Sequence, residues 1–193
     1  QSYRPLVSVV FALEHEYFGN QPHIGHLLNV LLYAISCMLL FLLLAKVFRN
    51  YVVLIPLSIA LLYAAHPIHT EVVANIKGRD DMLTFFFMVV SFYLLFSFLE
   101  QRRVKLLFAS ALAYFACLFT KENAITIIAT IPILVFVFSD VNIKRALRIT
   151  IPFAFVAVVY LLIRNAVDFL LSYPLVFLLL PFSAPFFISV FVQ

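Results

Sequence analysis

Tryptophan is absent from this chain, glycine occurs three times and cysteine twice. Without tryptophan, one of the side chains that ordinarily anchor helices at a membrane surface is missing. Three glycines are too few for close small-residue helix packing to dominate. Cys37 and Cys117 both fall inside apolar runs, where a thiol packs as a small hydrophobe, so neither a disulfide nor a cysteine metal site is indicated. Charge is scarce too, at 11% of residues. No signal-peptide pattern, repeat, low-complexity linker or soluble domain is visible. What is present is apolar: 65% of the chain is hydrophobic, with 23 phenylalanines and a mean hydropathy of +1.12. No soluble domain of this size needs so much apolar surface, so the sequence is that of an integral membrane protein. Its formal charge of +4 is dispersed among short connections and is no nucleic-acid signature.

Uncharged apolar runs occupy residues 27–45, 51–65, 82–99, 106–120, 123–139, 149–163 and 169–193. Each approaches the roughly 20 residues that cross a hydrocarbon core of about 30 Å. Backbone groups in lipid must be paired within their own segment, which predicts helices. The expected fold is therefore all-α, a polytopic membrane helix bundle of about seven spans. It forms one domain over 1–193 and is expected to be a fragment of a longer protein, with at least an N-terminal part missing. Residues 3–18 are too mixed to span and predict an interfacial helix with Pro5 in its first turn, so that 1–26 forms an outer-side segment. Gly19 to Pro22 is a break. In 66–81 the apolar Ile68, Val72, Val73 and Ile76 recur at helical spacing, predicting a short amphipathic surface helix stopped at Gly78. The last run carries Pro174, Pro181 and Pro185, and reads either as a kinked buried helix or as pieces joined across a missing loop.

Threading the runs alternately sorts the charges onto two faces. One holds Lys46, Arg49, Arg102, Arg103, Lys105, Lys144, Arg145 and Arg148 against only Glu100 and Asp140, which marks it as cytoplasmic. The other holds His15, His23, His26, His66 and His69, with Arg4, Lys77, Arg79, Lys121 and Arg164 facing Glu14, Glu16, Glu71, Asp80, Asp81, Glu122 and Asp168. Span-end charges are ordinarily interfacial anchors. Anchoring, however, favours Lys, Arg, Trp and Tyr, and this face is rich in His and acids. Ionisable groups gathered at a membrane face are functional candidates by default.

His66 and His69, at i and i+3 with Glu71 nearby, allow a divalent metal, although the spacing is not the strong zinc pattern. Arg79 beside Asp80 and Lys121 beside Glu122 each offer a cation fixed by an acid. Such cations suit phosphate oxygens, and a carboxylate at the same place can serve as general base toward a hydroxyl. Acid and phosphate-binding cation together on the far side of a membrane suggest a lipid-phosphate substrate.

The strings YRPL (3–6), NVLLY in the first span, HPIHTEVVANIKGRDD (66–81) and TKENAIT (120–126) together resemble the membrane domain of the transmembrane and tetratricopeptide-repeat O-mannosyltransferases and their bacterial relatives, over about residues 3–165. The resemblance implies a GT-C glycosyltransferase fold, a polyprenyl-phosphate-linked sugar as donor, with mannose the expected sugar, and transfer to protein hydroxyls on the non-cytoplasmic side. It carries over to Glu71 and Asp80 as the in-chain catalytic acids, to Arg4, Arg79 and Lys121 as donor-phosphate ligands, and to His66, His69 and Glu122 as supporting groups. The principal catalytic aspartate of such enzymes is expected upstream of residue 1. An Asp-Asn-Pro-like element is not recognisable after Arg164; Ser172-Tyr173-Pro174 comes nearest. The expected partners are the lipid-linked sugar, a protein acceptor and the bilayer, with no nucleic acid; a bacterial cytoplasmic membrane is favoured over the endoplasmic reticulum. Two other readings stand beside this one. A non-catalytic subunit or lipid-sugar carrier would keep the fold without the transfer. A proton-coupled transporter ranks last, because the charges sit at span ends and not at mid-span.

Overall fold

A computed structural model describes residues 4–19 and 21–172, and every regular element among them is helical. Helix α1 spans Pro5–Phe18, α2 Pro22–Val47, α3 Leu54–Ala65, α4 Ile68–Ala74, α5 Arg79–Gln101, α6 Val104–Thr120, α7 Ile127–Phe138 and α8 Ile143–Ser172; 3₁₀ turns cover Ile76–Gly78 and Glu122–Thr126. Proline opens both α1 and α2, where its missing N–H costs no bond. Between them Gly19 caps α1 at φ 66, a left-handed conformation that glycine adopts without a Cβ clash. Helices are present where the sequence predicts them over residues 3–18 and ahead of Gly78, and α2 starts at Pro22 after α1 ends at Phe18.

Helix α5 is the centre of the bundle. Half of its apolar stretch is buried, against 17% for α2 and 28% for α8. It packs on α2 and α6, while α8 closes over α6 and α7. The core holds Leu95, Cys117, Leu118, Ile131, Val135 and Phe153, all fully buried. Two buried serines pair across α5 and α6: Ser91 Oγ donates to the Ser110 carbonyl at 2.9 Å, and Ser110 Oγ to the Ser91 carbonyl at 2.7 Å. This reciprocal clamp staples α5 to α6 and leaves neither serine hydroxyl unmet. The outward faces of α2, α3, α7 and α8 carry exposed Leu, Ile, Val and Phe, as a lipid-facing surface requires.

Three helices, α2, α5 and α8, are long and apolar enough to cross a membrane, and α3 with α4 makes a fourth span if the pair is counted as one across its 61° bend. Among the described residues this accounts for three or four of the roughly seven spans expected, and most of the last run, 169–193, lies outside them. Helix α6 and the apolar segment Glu122–Phe138, in which the second 3₁₀ turn leads into α7, are shorter, at the lower end of the roughly 17–25 residues that span a bilayer. Helix α8 also corrects the boundary drawn between 163 and 169, since it runs unbroken through Arg164 and Asp168. The proline-rich stretch with Pro174, Pro181 and Pro185 lies outside the described residues.

Candidate functional site

The two charge groups lie at opposite ends of α5, about 31 Å apart along its axis. At the basic end Lys46 Nζ bonds Glu100 Oε2 at 2.6 Å, with Arg49 at 3.8 Å from the same carboxylate. At the acid-rich end stand His23 and His26 of α2, the α4 helix, the start of α5, the end of α6 and Arg164 of α8. The sequence places Asp80 and Asp81 in the first turn of α5, where the helix dipole favours them.

Arg79 opens α5 and is 2% exposed. Its Nε donates to Asn29 Oδ1 at 2.8 Å and its Nη2 to the Gly25 carbonyl at 3.0 Å, while Nη1 pairs with the Glu14 carboxylate. The Phe11 ring covers the guanidinium at 4.6 Å. Asn29, itself fully buried, donates Nδ2 to the Val73 and Asn75 carbonyls at 3.3 Å each. One arginine and one asparagine thus join α1, α2, α4 and α5. Two glycines make room for this. A Cβ on Gly25 would lie 2.9 Å from Glu14 Oε1, and one on Gly78 would lie 2.5 Å from the Val72 carbonyl oxygen. The glycine of the GRDD string is therefore needed for the close approach of the α4 backbone, independently of any catalytic part.

Asp80 is buried and pairs with Arg4, just ahead of α1. The Arg4 Nε is buried and has no hydrogen-bond partner among the described residues. Lys121 pairs with the half-exposed Asp81. Glu122 pairs with Arg164 at 2.6 Å, and Arg164 also lies 3.7 Å from Asp168, one helical turn on. These pairings correct the sequence-based expectation that Arg79 is held by Asp80 and Lys121 by Glu122. Neighbours in sequence leave a helix about 100° apart, so each charge finds a partner on another element or in another turn.

His66 precedes α4 and His69 lies within it, so the two do not share a helix face. Their rings nevertheless come within 5.9 Å. His69 lies tilted against Tyr63 at 4.3 Å, and Tyr63 stacks on Phe85 at 4.9 Å. Tyr33, eleven residues into α2, donates its hydroxyl to the Ala64 carbonyl at 3.0 Å, and Asn29, one turn nearer the start of α2, holds the end of α4. Glu71 is exposed on α4, and no ion pair engages its carboxylate among the described residues. No group of three His, Cys, Asp or Glu capable of holding a metal is found among them.

The residues missed at the sequence level are Glu14, Asn29 and Arg164 as the partners of Arg79 and Glu122. Two of them carried a signal: Asn29 as a polar residue within an apolar helix, and Arg164 through its i, i+4 spacing with Asp168.

No protein-family profile matches the chain, and no solved structure does. It is 33% identical over 153 residues to human protein O-mannosyl-transferase TMTC2, covering 76% of this chain and 18% of that protein. Over 93 residues it is 38% identical to human protein O-mannosyl-transferase TMTC1, and over 92 residues 36% identical to human TMTC3. The chain thus spans less than a fifth of the length of these relatives.

Proposed function

We propose, from its similarity to the TMTC protein O-mannosyl-transferases, that the chain forms part of a GT-C-type glycosyltransferase that moves a sugar, mannose by analogy, from a polyprenyl phosphate to a protein hydroxyl. The observation that carries the proposal is convergence. Arg4, Asp80, Asp81, Lys121, Glu122 and Arg164 are scattered over most of the sequence yet meet at one end of the bundle. Lys121, held only by a half-exposed acid, and Arg4, with a spare buried N–H, are the groups that receive the donor phosphate. Positioned cations in a site of restricted water stabilise the departing phosphate. Arg79 is already committed to three partners and acts by holding this end together. Asp80 does the same for Arg4. Glu71, the unpaired carboxylate on α4, is the in-chain candidate for the base, with His66 and His69 alongside. The commitment of most other acids to ion pairs favours, as a second reading, a carrier that binds the donor without transferring the sugar. The relatives named are human proteins, which gives no support to a bacterial cytoplasmic membrane and moves the reading toward the endoplasmic reticulum.

Two measurements test this. In a Cys37→Ser, Cys117→Ala background, single cysteines at Asn75 and Asn123 should react with a membrane-impermeant reagent from the non-cytoplasmic side, while those at Gln101 and Asn142 stay protected. The opposite pattern would move every histidine to the cytoplasm and end the proposal. Lys121→Ala should weaken binding of a polyprenyl-phosphate sugar by roughly tenfold to a hundredfold, the worth of one charge-assisted contact, in protein that remains inserted. Undiminished donor binding would reduce Lys121 to an anchor.

A further inference from the structure

The basic end of the bundle holds a second candidate site, independent of the one above. A cavity of about 680 Å³ opens there, lined by Lys144, Arg145 and Arg148 with Asn142 and Leu107; Asp140 is the one acid in its wall. None of the three cations has an ion-pair partner among the described residues, unlike Lys46 and Arg49, which share Glu100. Lys144 and Arg145 sit in the first turn of α8, where the helix dipole already contributes positive potential, so the cluster is electrostatically unrelieved. A second depression of about 320 Å³ shares Leu107 with it and starts at Val104, the first residue of α6. It runs between the parallel helices α6 and α8, with a wholly apolar lining that includes Phe108, Leu112, Pro152, Phe155 and Val159. Leu107 thus lines both the cationic chamber and the apolar channel.

Orientation in the membrane calls for cations at this end. It calls neither for a cavity between them nor for a channel leading from that cavity along the bilayer depth. We propose that the chamber and channel together bind one anionic glycerophospholipid, its phosphate held by Arg145, Arg148 and Lys144 and one acyl chain laid between α6 and α8. Charge complementarity selects the headgroup, and the continuity through Leu107 selects a molecule that is both anionic and lipidic.

The absence of tryptophan supplies the test. Phe155 lines the channel and is 68% exposed, so Phe155→Trp places a single reporter inside it. The protein is reconstituted in phosphatidylcholine containing either phosphatidylglycerol or phosphatidylcholine brominated on its acyl chains, at equal mole fraction. The expected result is an at least fivefold preference for quenching by the brominated phosphatidylglycerol, on the order of one cation's worth of attraction to an anionic headgroup. Arg145→Gln with Arg148→Gln should bring the preference close to equality. Arg102→Gln with Arg103→Gln removes the same charge outside this chamber and should preserve it. Phe136→Trp, on the exposed face of α7, should show no preference. Should the double variant fail to insert, Arg148→Gln alone, losing most of the preference, gives the same reading. Equal quenching of the Phe155→Trp reporter by the two lipids, or a preference indifferent to Arg145 and Arg148, overturns the proposal and leaves an ordinary lipid-facing surface.

Discussion

Arg79→Ala should destabilise the bundle by about 3–5 kcal/mol, the cost of removing one member of a buried ion pair. The loss has several parts. The Glu14 carboxylate, only 14% exposed, would keep its charge without a partner. The Asn29 Oδ1 and the Gly25 carbonyl would lose donors in a dry environment, and the Phe11 ring would lose the cation beneath it. Lysine is no substitute, because a single ammonium on a flexible stem does not reproduce the fork that serves three acceptors. Cys117 offers the readout: it is fully buried, so in a Cys37→Ser background its reaction with a fluorogenic thiol reagent on heating reports unfolding. The variant should react at markedly lower temperature. Glu14→Gln combined with Arg79→Met should recover part of the loss, since both charges leave together. A midpoint unchanged in Arg79→Ala would show that the guanidinium carries none of the structural burden assigned to it.

Glu71→Gln should lower sugar transfer by roughly 10²–10⁴-fold, the usual worth of general acid–base assistance, while donor binding changes little. The amide keeps the size and hydrogen bonding of the carboxylate and removes only its charge and basicity. Glu71 is exposed and unpaired, so the change leaves no charge stranded and should spare the fold. That separates it from Asp80→Asn, which releases Arg4 and should act through stability and donor binding. If the principal base belongs to a part of the protein outside this chain, Glu71→Gln would show a milder loss, and Glu71 would then be a positioning residue. Full transfer by Glu71→Gln would remove α4 from the chemistry and favour the carrier.

The helical class and the gathering of ionisable residues at one end were legible in the sequence, because both follow from where charges interrupt apolar runs. The exact bounds of the helices were not. Composition alone treats 54–65 and 127–138 as equal to 22–47, while the chain bends after α3 and stops α7 after twelve residues. Helix α8 misled in the opposite direction. Arg164 and Asp168 look like a break, yet at i, i+4 they pair along one helix face and let the helix continue. Pairing within the candidate site was hidden for another reason. The partner of Arg79 lies 65 residues away at Glu14, a distance no local pattern encodes. The composition of the GRDD string drew attention rightly to this segment, but its glycine and arginine answer to packing against α4 and α1.

Helix α1 is fastened at two points about 15 Å apart along its length, Arg4 to Asp80 and Glu14 to Arg79, and both fastenings land on consecutive residues of α5. Such an arrangement has the thermodynamics of a bidentate tether. Once one end is bound, the other samples a small volume around its partner, so the second contact forms at high effective concentration and the pair is worth more than either alone. Severing one end does not free the helix but converts it into an arm pivoting on the other. Amide hydrogen exchange should then show α1 opening as a single unit in Arg4→Ala, with α5 still protected.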